Sequence, residues 1–70
     1  MTEKQTRQAM VENLKAKLAL GQMDVETLAN SAIQANEDLE VPAIVLDALL
    51  DVLQENVTSD FFVEFCDTKL

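Results

Sequence analysis

Seventy residues, 49% of them hydrophobic, with a formal net charge of −8, make one small domain at the size where a single core is barely sufficient. That hydrophobic share is too high for a disordered acidic tail, and the acidic balance disfavours binding to nucleic-acid phosphates or anionic membranes, which calls for a basic surface. The chain has no histidine and a single cysteine, Cys66, so the commonest general base, the Ser-His and Cys-His dyads, His-based zinc sites and an intrachain disulfide are all missing.

Thr2-Glu3-Lys4-Gln5 has the form of a capping box, with Gln5 placed to reach back to the backbone of Thr2. Met10, Val11, Leu14 and Leu18 then share one helical stripe, and Gly21 stands where a left-handed residue ends a helix. Arg7 lies within that stripe, so the first two turns are expected to overhang the core in solvent, the other reading being that Arg7 faces a partner.

Asp24 is the natural cap of a second helix, with Met23 able to staple onto Leu28. Val25, Leu28, Ala29, Ala32 and Ile33 repeat at helical spacing; the alanines make a shallow stripe that lets a neighbouring helix come close. Residues 36–41 read as a linker carrying Glu37, Asp38 and Glu40.

The stretch from Pro42 to Asn56 organises the rest. Pro42 suits the first helical position. Stepping round the helix, Asp47, Asp51, Gln54 and Glu55 fill one polar arc, while Val45, Leu46, Ala48, Leu49, Leu50, Val52 and Leu53 sweep about 200°, twice the stripe of an ordinary surface helix. Such a helix must be covered on two sides. Thr58 or Ser59 then caps a short last helix holding all three aromatic residues, Phe61, Phe62 and Phe65, which is too short to be stable unless it docks.

The expected fold is therefore all-α: one domain over residues 1–70, with main helices near 3–20, 25–36 and 42–56 and a short fourth near 59–67. Because the central helix asks for more cover than its neighbours offer, a homodimer is expected, with Leu46, Leu49, Leu50, Leu53, Phe61, Phe62 and Phe65 as its interface.

Few residues suggest chemistry. Cys66 lies between Glu64 and Asp67, acidic neighbours that do nothing to favour a thiolate nucleophile, so it reads as a buried small hydrophobe. Asp47, Asp51 and Glu55 stack at i, i+4 and i+8; without the Gly-containing turn of a calcium loop, the row reads as a solvated face or a partner-binding face and not as a metal site. Glu37-Asp38-Leu39 followed by an apolar helix with spaced acids resembles the stretch around the prosthetic-group serine of acyl carrier proteins, over the linker and central helix. That family places Asp-Ser-Leu at the helix start. Here Pro42-Ala43-Ile44 stands there, and Ser31, the nearest imitation, lies in mid-helix; no phosphopantetheine or other cofactor is expected.

Charge is distributed unevenly. Residues 1–22 carry Lys4, Arg7, Lys15 and Lys17 against Glu3 and Glu12, whereas residues 23–70 carry eleven acids and only Lys69. A protein with a basic surface is the partner such a field attracts. The sequence thus reads as a small acidic interaction module, a regulator, adaptor or chaperone-like subunit without catalysis. The alternative is an acidic mimic of nucleic acid that fills the basic site of a DNA- or RNA-binding protein. With no apolar leader at its start and no membrane-length apolar run, the chain is expected in the cytoplasm.

Overall fold

The structure is a computed structural model and describes residues 2–70. Four helices follow one another: α1 (Glu3–Ala19), α2 (Val25–Glu37), α3 (Ala43–Asn56) and α4 (Ser59–Lys69), with no strand among the described residues. None of these helices is long and apolar enough to cross a membrane.

Local chemistry accounts for most of the boundaries. The Thr2 hydroxyl accepts the Gln5 N–H at 3.2 Å while the Gln5 side chain accepts the Thr2 N–H at 3.1 Å, which completes the capping box of α1. At the other end Gly21 adopts φ 74°, the Gln22 N–H donates to the Lys17 carbonyl at 2.9 Å, and the Gly21 N–H donates to the Leu18 carbonyl at 3.2 Å. This pair of bonds satisfies carbonyls that the last turn would leave open, and it needs the left-handed residue that glycine supplies without strain. Asp24 caps α2 by accepting the Thr27 N–H at 2.7 Å, and Thr58 caps α4 by accepting the Phe61 N–H at 3.2 Å.

Two boundaries differ from the sequence reading. Pro42 is not the first helical residue of α3: its ψ of 145° is extended, it sits at the cap position without a side-chain hydrogen bond, and its carbonyl accepts the Val45 N–H at 3.0 Å. Proline fixes φ, not ψ, so it serves the cap as readily as the first turn. α4 runs to Lys69, beyond the expected end near residue 67, because Phe65 and Cys66 dock and carry the following turn with them.

Most contact between helices passes through α3, which α1 and α2 flank. The buried core is Val11, Leu28, Ala32, Ala48, Leu49, Val52, Leu53 and Phe65; α3 supplies half of it, and every other helix contributes. Leu28, Ala32, Val52 and Leu53 are sealed completely. Ala32 of α2 and Ala48 of α3 are both buried, consistent with the close helix approach that small side chains permit. The molecule is flat, 34 × 30 × 18 Å. A thickness of under two helix diameters keeps every element near a surface, so the core is narrow and several apolar residues stay half-covered, Met10, Leu14 and Leu18 of α1 among them.

Candidate interaction surfaces

The acidic row of α3 is shared out by its neighbour. The Arg7 guanidinium lies 3.3 Å from an Asp51 carboxylate oxygen, and the Lys15 ammonium lies 3.1 Å from Glu55, all four side chains being between about a third and a half exposed. Asp47 is exposed and takes part in no ion pair among the described residues. Arg7, expected to hang in solvent or face a partner, reaches across to the central helix of its own chain while its side chain stays 41% exposed. The pairing order, Arg7 with Asp51 and Lys15 with Glu55, sets α1 beside α3 with both running the same way. The reason is electrostatic. α1 holds four of the five cations of the protein, and laying that helix along the carboxylates of α3 relieves the like-charge repulsion between positions four apart. No group of three or more His, Cys, Asp or Glu among the described residues is gathered closely enough to hold a metal ion.

The residues expected at a dimer interface fall into two sets. Leu49, Leu53 and Phe65 are buried in the core of the single chain, whereas Leu46, Leu50 and Phe62 are half-covered against that core and Phe61 is exposed. Of the four leucines Leu49 and Leu53 are buried and Leu46 and Leu50 stay partly exposed, with α1, α2 and Phe65 of α4 packed around α3. Phe61 stacks on Phe65, with ring centroids 6.3 Å apart and planes 13° from parallel. Its outer face, with Glu64, Thr68 and Lys69, borders a shallow depression of about 200 Å³. Cys66 is half-buried against the core and not sealed, since its place on α4 is one step off the residue that faces inward, Phe65.

Two features went unnoticed in the sequence. The first is an open apolar groove of about 330 Å³ between α1 and α3. Met10 and Leu14 form its α1 wall with Ala9 and Asn13 at the rim, and Val45, Ala48 and Leu49 form its floor. No charged side chain lines it. Its signal was present as Ala9 and Asn13 on the outer flank of the Met10-Leu14 stripe: side chains too small to close the space beside them.

The second is Leu39, which is 99% exposed. It stands at the tip of the turn between α2 and α3, where the Val41 N–H donates to the Asp38 carbonyl at 3.2 Å and the Glu40 N–H donates to the Asp38 carboxylate at 2.9 Å. The side chain is thus presented on a hydrogen-bonded turn, flanked by the exposed acids Glu37, Asp38 and Glu40. Asx turns of this kind follow from an aspartate two residues before the bonded N–H.

The comparisons add nothing to this geometry. No protein-family model matches the chain, and neither curated proteins nor solved structures show a significant similarity to it. Ser31, the residue nearest in character to a carrier-protein serine, is half-buried within α2, and the start of α3 holds none.

Proposed function

We propose that this protein is a non-catalytic interaction module that associates with itself and docks on a second protein with a basic surface. The observation that carries this reading is the apolar groove between α1 and α3. A chain that has already buried Leu49, Leu53 and Phe65 in its own core, yet leaves an uncharged concavity open beside them, offers a place for an apolar side chain from outside. Away from α1 the surface is almost wholly acidic: Lys69 is the only cation after residue 22. That field steers a basic partner toward α2 and α4.

The alternative, an acidic mimic of nucleic acid, has less in its favour. A mimic needs a long row of unpaired carboxylates, and Asp51 and Glu55 are each engaged by a cation of α1. Capture experiments at two ionic strengths test the choice. A module that docks through apolar contact keeps most of its partner when salt rises from about 50 to 200 mM, whereas a phosphate mimic loses its partner steeply over that range. Isolation of only a nucleic-acid-binding protein, released by that rise in salt, would replace the first reading with the second.

A further inference from the structure

Resting on the docking to a basic protein proposed above, we infer that the contact is made by the apolar tip at residues 39–44, seated in an apolar pocket of that partner whose rim carries Lys and Arg. Leu39, Val41, Pro42, Ala43 and Ile44 leave Glu40 as the one polar residue of this run. Leu39 is 99% exposed, Pro42 and Ala43 are exposed, and Val41 and Ile44 are half-covered. Every other half-covered apolar side chain among the described residues packs against the buried core, and these two do not. The core therefore makes no use of the run. Consecutive apolar side chains that the fold leaves outside its core, bordered by acids, have the make-up of a recognition surface with a polar rim.

The tip is already in shape for docking. The Asp38 carbonyl accepts the Val41 N–H at 3.2 Å, the Asp38 carboxylate accepts the Glu40 N–H at 2.9 Å, and the Pro42 ring holds φ at −60° ahead of α3. Leu39 is thus presented on a turn that is ordered before a partner arrives, and little conformational freedom is left to lose on binding. A side chain carried outward on a convex turn is matched by a pocket, where it acts as an anchor.

Charge decides what kind of partner brings that pocket. Glu37, Asp38 and Glu40 flank Leu39, and Asp47 follows Ala43 by one helical turn; all four are exposed and take part in no ion pair among the described residues. Glu37 ends α2, whose last turn holds no basic residue, so its charge stands at the negative end of the helix, where an acid does not help the fold. A second copy has no cationic surface to offer these carboxylates. Arg7 and Lys15 are engaged by Asp51 and Glu55, Lys4 and Lys17 are balanced by Glu3 and Glu12 on the same helix, and Lys69 shares α4 with Asp60, Glu64 and Asp67. Nucleic-acid phosphates and anionic lipids are repelled by the same four acids. A foreign pocket rimmed by Lys and Arg suits both the apolar tip and its carboxylates.

Photocrosslinking in an extract of the source cell tests this, with a benzophenone amino acid replacing Leu39 in one sample, Asn13 at the groove rim in a second and Val63 of α4 in a third. All three positions are exposed, and circular dichroism checks that each variant keeps its fold. Position 39 is expected to crosslink to a foreign protein, at a peptide whose apolar residues are flanked by Lys or Arg. With that protein purified, Leu39→Ser should raise the dissociation constant at least about tenfold. Glu37→Gln combined with Glu40→Gln should slow association at least about threefold at roughly 50 mM salt. Unchanged affinity in Leu39→Ser, an acceptor peptide without basic residues, or a crosslink from position 39 only to a second copy of the chain overturns the inference. Crosslinks to a foreign protein from position 13 or 63 with none from position 39 also overturn it, while leaving the interaction module in place. An absence of crosslinked protein from all three positions overturns both.

Discussion

Replacing Arg7 and Asp51 by alanine, singly and together, measures what the cross-helix pair contributes. The two charges are 3.3 Å apart, with 41% and 37% of the side chains exposed. At that separation Coulomb's law in a fully aqueous dielectric gives about 1.3 kcal/mol. Exposure of more than a third lets solvent screen the pair, and holding two long side chains together costs entropy. The coupling in a double-mutant cycle is therefore expected at about 0.2–1 kcal/mol. Urea unfolding followed by circular dichroism reads it, and in about 1 M salt, where the screening length is near 3 Å, the coupling should shrink to a fraction of its low-salt value. The same geometry changes the expectation for Asp51→Lys. From the sequence, removing an acid from the row Asp47, Asp51, Glu55 should leave stability unchanged or raise it, relieving two repulsions of about 0.2–0.5 kcal/mol each. The structure adds an opposing term of similar size: the lost bond to Arg7 and a new cation beside it. The net change is expected within about 0.5 kcal/mol of zero. A coupling of zero at low salt would refute the pair as a contributor to stability, and a coupling above about 2 kcal/mol would refute its description as a solvated pair.

Leu53 is sealed at 0% exposure in the centre of α3, so Leu53→Ala should cost about 3–5 kcal/mol, most of the roughly 4–10 kcal/mol available to a domain of this size; denaturant unfolding would show a largely unfolded variant. Leu39→Ala, at the other extreme of exposure, should stay within about 0.5 kcal/mol of wild type when unfolding is followed at a concentration low enough to exclude association. Gly21→Ala adds a Cβ that meets no atom within 4 Å, yet the residue sits at φ +74°; the loss should be about 1 kcal/mol, from the backbone alone, and Gly21→Asn should recover part of it. The Thr27 side chain and then its backbone N–H hold the Asp24 carboxyl below its ordinary value of 3.8. Since this lowers the folded pKa, the cap stabilises α2 above pH 3.8 and is lost as the pH falls through the folded pKa below it; acid titration of helix content should show that loss in wild type and not in Asp24→Asn.

Helix content and most boundaries could be read from the chain because they rest on interactions spanning a few residues. The capping box at Thr2 and Gln5, the caps at Asp24 and Thr58 and the left-handed Gly21 each depend on atoms no more than about one turn away, and local spacing specifies them. The doubled apolar sweep of α3 likewise announced a central helix, because 3.6-residue periodicity shows which side chains share a face. Periodicity does not say what covers that face. Whether Leu49 and Leu53 would meet α1, α2 and α4 or a second chain depended on how the helices pack, and both are buried within the single chain, where α1, α2 and α4 all pack against α3. The partners of Asp51 and Glu55 were equally beyond sequence spacing, since each lies on another helix some forty residues away in the chain, brought near only by the fold. The groove and the bare Leu39 belong to the same class. A cavity is what packing leaves unfilled, and exposure at a turn is decided by every element that fails to reach it, so neither exists until the helices have taken their places.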